Sequence, residues 1–273
     1  MKKLLFCILL FTISTTVLGQ IYSGIVMDKE TSEPLKYVSI GIVGKDVGTV
    51  SNDDGSFSFE IDGQFSQDSL LFSYIGYEAQ SRRIAALNKN KQEIIYLEPK
   101  STLLSEVVVK PVIFKEKVLG NKYNGKIIKG GFRENNKGFE CGVLLKIKKR
   151  AILEKFSCSI ATCSYDSVLY RVNVYKEVEK ESFENILDCP IYVKQKMDQS
   201  QRVLSVDLSP YDLVVEGNTL ITLEHIADMG EGHLFFSSGL FKGSTCYYRK
   251  TSQGDWVKTP VKLGFNVTAK VEE

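Results

Sequence analysis

Along most of the chain, apolar and polar side chains alternate one by one in short runs, and each run ends at Gly, Pro, Asp or Asn. A period of two sends successive side chains to opposite faces of a pleated strand, so each run buries one face and wets the other. In the first third the clearest case is Ser56-Phe57-Ser58-Phe59-Glu60-Ile61, and Val38, Ile40 and Ile42 alternate with Ser39 and Gly41 in the same way. Leu70-Leu71-Phe72 and Ile94-Ile95-Tyr96-Leu97 read as further buried runs. Roughly six or seven short strands in about eighty residues predict a small antiparallel sandwich. Between them, Asn52-Asp53-Asp54-Gly55 reads as a hairpin turn and residues 28–34 as a polar turn closed by Pro34.

From residue 111 to 130 the alternation weakens and Lys, Asn and Gly accumulate, so 99–130 reads as a linker with an irregular lead-in strand. Beyond it the pattern returns at 139–147, 156–160, 168–175, 203–208, 220–223, 234–236, 246–249 and 265–271. Eight strands in about 140 residues predict a second, jelly-roll-like sandwich over 131–273. Helical periodicity is poor, the best short stretch being 82–87, so the chain is expected to be all-β: two β-sandwich domains in tandem.

The first nineteen residues stand apart. Lys2 and Lys3 precede an apolar run that ends in the small residues before Gln20, the layout of a secretory signal peptide cleaved after Gly19. The run is about fourteen residues, short of the roughly twenty that span a bilayer, and the mature chain shows no other candidate span. Cys7 follows Phe6 early in that run, which is the wrong place for a lipid-modified cysteine. Loss of Lys2 and Lys3 brings the 35 basic residues to 33, against 33 acidic ones. A neutral mature chain carries no nucleic-acid footprint.

Candidate chemistry is sparse. Five cysteines remain after the leader, Cys141, Cys158, Cys163, Cys189 and Cys246, an odd number that leaves at least one thiol unpaired. Cys141 and Cys158 occupy inward positions of their strands and read as small buried hydrophobes; a Cys158–Cys163 bridge across a tight turn is the local alternative. His225 and His233, the only histidines, flank a glycine-containing stretch that reads as a solvated loop rather than a metal site. The acids of 52–55 lack the spaced donors of a calcium loop. No Gly-x-Ser-x-Gly elbow and no cofactor fingerprint is present, so no catalytic residue, metal or cofactor is assigned. The remaining lead is aromatic: Tyr247, Tyr248, Arg249 and the single tryptophan, Trp256, lie close in sequence and could form a ligand-binding platform on which sugar rings stack. The competing reading places one of the tyrosines in the core by alternation and Trp256 at the sandwich edge.

Several short stretches occur in an order that carries a family resemblance: Gly24-Ile25-Val26-Met27-Asp28, Glu33-Pro34-Leu35, Gly48-Thr49-Val50, Asp53-Asp54-Gly55-Ser56-Phe57 and Ser73-Tyr74-Ile75-Gly76-Tyr77-Glu78. Over about residues 21–109 the chain resembles the carboxypeptidase regulatory-like domain. That resemblance implies a transthyretin-like β-sandwich over 20–98, of the kind found in exported proteins of Bacteroidetes-type bacteria. Leu104-Ser105-Glu106-Val107-Val108-Val109 is similar to the segment that joins this domain to the plug of TonB-dependent receptors. About 160 further residues are too few for a plug and a barrel, and no His-x-x-Glu of a metallocarboxypeptidase is present.

The expected function is therefore a non-catalytic binding or interaction module of the cell envelope, in the periplasm, on the outer-membrane surface or secreted. Its partner would be an envelope protein or a glycan. Carbohydrate binding by the second domain and an unrecognised all-β hydrolase are the alternatives.

Overall fold

The computed structural model describes residues 19–87, 91–100, 113–198 and 200–273. The expected leader, apart from Gly19, and the Leu104-to-Val109 segment lie outside the described residues. Among the described residues the regular structure is all strand, apart from single 3-10 turns at Gly63–Phe65, Ile84–Ala86 and Ser209–Tyr211.

The first domain holds β1 (Gln20–Asp28), β2 (Ser39–Gly41), β3 (Gly48–Val50), β4 (Ser56–Ile61), β5 (Ser69–Ser73), β6 (Gln80–Arg83) and β7 (Glu93–Leu97). They form two layers, β4-β1-β7 and β3-β2-β5-β6. β1 runs antiparallel to β4 and parallel to β7. Val26, Val38, Ile40, Phe57, Ile61 and Phe72 fill the space between the layers. Gly24 sits under the Phe57 ring, where a Cβ would come within 2.7 Å of the ring and 2.4 Å of the Glu93 carbonyl.

Three details depart from the pattern reading. The 94–97 stretch is not a continuous buried run: Ile95 and Leu97 are buried while Ile94 is 54% and Tyr96 42% exposed, because β7 is an edge strand with one face in solvent. Residues 52–55 do turn, with Gly55 at φ +77° and the Asn52 N–H donating to the Ser56 carbonyl at 2.7 Å. They do not close a hairpin, since β3 pairs with β2 and β4 with β1, so the turn carries the chain from one layer to the other. The helical stretch at 82–87 is the end of β6 followed by one 3-10 turn.

The second domain is one hydrogen-bonded network of thirteen strands. They are β8 (Phe114–Gly120), β9 (Lys129–Phe132), β10 (Glu140–Cys163), β11 (Ser167–Glu179), β12 (Ser182–Asn185), β13 (Ile191–Lys196), β14 (Val203–Asp207), β15 (Val214–His225), β16 (Leu234–Gly239), β17 (Cys246–Arg249), β18 (Val257–Lys258), β19 (Lys262–Leu263) and β20 (Phe265–Glu272). The organising element is β10, 24 residues long. Its first half lies between β15 and β17, its second half between β14 and β20, and its end pairs with β16. Register shifts at 147/151 and 153/155 bend it. Bulges of this kind let one strand turn a corner and serve two packed layers. The inward side chains of both layers, among them Val143, Leu153, Phe156, Val172, Leu223 and Phe265, make one core.

The stretches at 139–147 and 156–160, expected as separate strands, are thus two halves of β10. The expected linker contains β8, which pairs with β20 from Gly120 opposite Asn266 to Phe114 opposite Glu272. Its side chains stay largely exposed, so backbone bonding rather than burial holds it, and its alternation is correspondingly faint. Cys141 and Cys158 point into the core, and the five cysteines are free thiols. The Cys158–Cys163 bridge fails on geometry: no turn separates them, and five steps of strand at about 3.3 Å each exceed the reach of a disulfide.

The first domain sits on the outer face of the β11-β15-β10-β17 layer. The chain after β17 wedges between the domains: the Ser252 carbonyl lies where a Cβ on Gly41 or Gly48 would be, at 2.3 and 2.5 Å, and the Gly44 N–H donates to the Gln253 carbonyl at 2.9 Å.

Candidate functional site

Strand pairing assembles this site one rung at a time. Arg171 on β11 lies opposite Glu224 on β15, Glu224 opposite Glu140 on β10, and Glu140 opposite Arg249 on β17. The result is a row of side chains across four strands with charges plus, minus, minus, plus. All four are buried, Arg171 against Tyr37 and Ser39 of the first domain and Arg249 beneath Trp256 and beside Tyr175.

Two adjacent carboxylates in such a place must be matched by donors or the layer would not form. Arg171 donates through Nε (3.0 Å) and Nη2 (2.7 Å) to Glu224 Oε2. Arg249 donates through Nε (2.8 Å) to Glu140 Oε2, with Nη2 2.6 Å from the same oxygen. Between the pairs, the Asn173 amide nitrogen bridges both acids, 2.9 Å from Glu140 Oε1 and 2.8 Å from Glu224 Oε2. Tyr175 and Thr222 hydroxyls donate to Glu140, and the Ser252 hydroxyl to Glu224 Oε1 at 3.2 Å. Burial pushes the Glu224 carboxyl up, but Arg171, Arg249 and the donated hydrogen bonds outweigh it and hold the group below the usual glutamate range. Burial works against both arginine charges too; Glu224 for Arg171 and Glu140 for Arg249 more than restore them.

The rung also fastens the domains together. Arg171 donates from Nη1 to the Tyr37 carbonyl at 2.7 Å and from Nη2 to the Ser39 hydroxyl at 2.6 Å, both in the first domain. The Gln253 amide donates to Ser73 at 2.7 Å, and Tyr74 and Tyr192 hydroxyls meet at 3.3 Å. Each of the four carboxylate oxygens accepts at least one hydrogen bond from the protein, so both buried charges are matched by donors.

Beside the rung a cleft of about 820 Å³ opens between the domains. Residues 74–77 form one wall, 183–188 the other, and Arg171, Asn173, Tyr175, Glu224 and Arg249 the floor. A second interdomain cleft of about 580 Å³ lies around Tyr37, Asp53, Asp166 and Asp228.

The aromatic platform expected at 247–256 takes a different form. Alternation along β17 puts Tyr247 and Arg249 on the outer face and Tyr248 on the inner one. Tyr247 is 2% exposed with its ring edge-on to Phe183, and Tyr248 stacks on Phe139 against the main core. Trp256 lies over the Arg249 guanidinium at 4.8 Å and meets Tyr175 and Phe183 edge-on. These rings box in a buried arginine instead of offering flat faces to solvent. Of the four, Arg249 borders the cleft.

His225 is not in a solvated loop. It ends β15 fully buried between the Phe132 and Tyr170 rings, with Nε2 2.7 Å from the Ala227 carbonyl, and burial lowers its pKa to about 4. The ring is neutral at physiological pH. His233 instead bonds the Ser164 hydroxyl at 3.2 Å, so the two histidines do not converge. Among the described residues no group of three or more His, Cys, Asp or Glu is arranged to hold a metal.

Glu140, Arg171, Asn173, Tyr175 and Glu224 were not among the expected site residues. Their signal was there, as polar residues at every second position of Arg171-Val172-Asn173-Val174-Tyr175, but that pattern equally describes a face turned to water.

The fold and seam define a class, a two-domain all-β protein with a docked amino-terminal sandwich. Residues 22–109 match the family model of the CarboxypepD_reg-like domain, so the first domain is a carboxypeptidase regulatory-like, transthyretin-like sandwich. The match ends before β8. No curated protein matches the chain.

Proposed function

We propose that this protein is an exported, non-catalytic binding module of the cell envelope, in which the two domains act as one body and the cleft between them receives a partner. The carrying observation is the buried Arg171–Glu224–Glu140–Arg249 rung. A buried ion-pair row adds little net stability over a well-packed apolar seam, whereas Arg171, held by Glu224, fixes where the Tyr37 carbonyl and the Ser39 hydroxyl must sit. Such a device suits a protein whose cleft must keep its shape. The regulatory-like domain is non-catalytic in general, which fits the same reading.

The test is photocrosslinking in intact cells from a benzoylphenylalanine placed at Asn185, an exposed residue on the cleft wall. A discrete adduct, lost when the probe is moved to exposed Glu216 on the far edge of β15, is the expected result. No adduct from any cleft position, or turnover of peptide or glycoside substrates by the purified chain, would reject the reading.

A glycan is the second reading, favoured by the cleft's composition. Tyr74, Tyr77 and Phe183 supply ring surface beside a charge-balanced floor, and the Gln253 side-chain carbonyl and the exposed Asn185 amide border it. Sugars are held by that combination of aromatic faces and fixed hydrogen-bonding groups. Titration of neutral oligosaccharides against Trp256 fluorescence checks it; neither a fluorescence change nor calorimetric heat across the panel removes it.

A further inference from the structure

Two loops of the second domain carry three exposed apolar side chains among lysines. β9 pairs with β16 so that Lys129 faces Ser237, and the Ser238 N–H donates to the Ile128 carbonyl at 2.9 Å. Continuing that ladder brings the 121–128 loop beside the 240–245 loop. Asn121 holds them together, accepting from the Ser244 N–H at 2.6 Å and donating to its carbonyl at 3.1 Å, and the Tyr123 hydroxyl donates to the Lys242 carbonyl. The tips held in this way present Ile127 at 97% exposure, Phe241 at 92% and Leu240 at 44%.

The segments that build and flank these tips carry charge of one sign. Residues 121–132, 234–246 and 257–264 contain no Asp, Glu or Arg, yet bear Lys122, Lys126, Lys129, Lys242, Lys258 and Lys262. Lys258 pairs with Glu181; Lys122, Lys126 and Lys242 are exposed and, among the described residues, have no carboxylate partner, in a chain whose acids and bases nearly balance. Protein interfaces are depleted in lysine and favour arginine at their cores. Lysine stems with apolar and aromatic tips suit a lipid interface instead, where the ammonium reaches headgroup phosphates and the apolar group enters the acyl boundary.

We propose that these two loops dock the second domain on the surface of an anionic phospholipid bilayer. Phe241 and Ile127 enter the interface and Lys122, Lys126, Lys129 and Lys242 contact phosphates. The proposal is independent of what fills the interdomain cleft. It is tested by co-sedimentation of the mature chain with phosphatidylcholine vesicles containing about one third phosphatidylglycerol, against phosphatidylcholine alone. Binding to the anionic vesicles is expected, weakened by salt. Phe241→Ala should reduce partitioning by about tenfold, from the lost burial of one large apolar side chain. Lys126→Ala with Lys242→Ala should reduce it by at least tenfold, at about fivefold per lysine. Because these side chains are exposed, unchanged thermal midpoints separate binding loss from unfolding. Equal binding to neutral vesicles, no binding to either, or variants that bind like the parent would overturn the proposal and turn attention to a protein partner for these tips.

Discussion

Replacing Glu224 by Gln keeps the shape of the rung and removes one of its two negative charges. Glu224 is fully buried and Arg171 is 2% exposed, so the Arg171 cation would remain in the seam without its adjacent counter-ion. Breaking a buried pair from one side costs about 3–5 kcal/mol, because the abandoned charge stays desolvated. Removing both partners, as Arg171→Met with Glu224→Met, should cost clearly less, while also deleting the bonds from Arg171 to Tyr37 and Ser39. Urea unfolding followed through Trp256, the single tryptophan and 4.8 Å from the Arg249 guanidinium, reads both effects. The pH dependence provides a second handle. Since the folded state holds the Glu224 carboxyl below its ordinary value of 4.5, its stabilisation is complete above that value and fades as pH falls through the lower folded one. A loss below about 1 kcal/mol for Glu224→Gln, or a double variant as damaged as the sum of the singles, would show that the row is not a coupled buried unit.

Other expectations concern separate parts of the molecule. His225, held neutral with a pKa of about 4 against 6.5 unfolded, stabilises the fold fully above pH 6.5 and loses about 3 kcal/mol as pH falls to 4. Denaturation midpoints measured across that range should flatten in His225→Gln. Phe156→Ala, deep in the second core, should cost about 3–5 kcal/mol by chemical denaturation. Gly41→Ala would drive a Cβ into the Ser252 carbonyl, so hydrogen exchange at 250–255 should accelerate while the cores stay protected. In the native protein a maleimide should label exposed Cys189 rapidly and leave Cys141 and Cys158 untouched, since burial raises both of their thiols well above the usual range.

Strand by strand, alternation located what burial enforces. Ser56–Ile61 and Cys246–Arg249 appear with the bounds that their patterns suggested. Where a strand is held by backbone pairing at an edge, as at Phe114–Gly120, the side chains carry little periodicity and the stretch resembled a linker. The length of β10 was equally hidden: the alternation stops at Ile147 and resumes at Phe156, and the strand continues through the charged stretch between them by way of a bulge.

The candidate site divides along the same line. Local sequence determined that the chain is all-β, that its amino-terminal part is a regulatory-like sandwich, and which side of each strand is greasy, because a two-residue period and turn residues act over a few positions. Whether Arg171 faces water or another domain depends on groups more than a hundred residues away, the Tyr37 carbonyl and the Ser39 hydroxyl, and Glu140 is matched by Arg249, 109 residues on. Docking decided that question, and with it turned an ordinary polar face into a buried, charge-balanced seam beside a cleft.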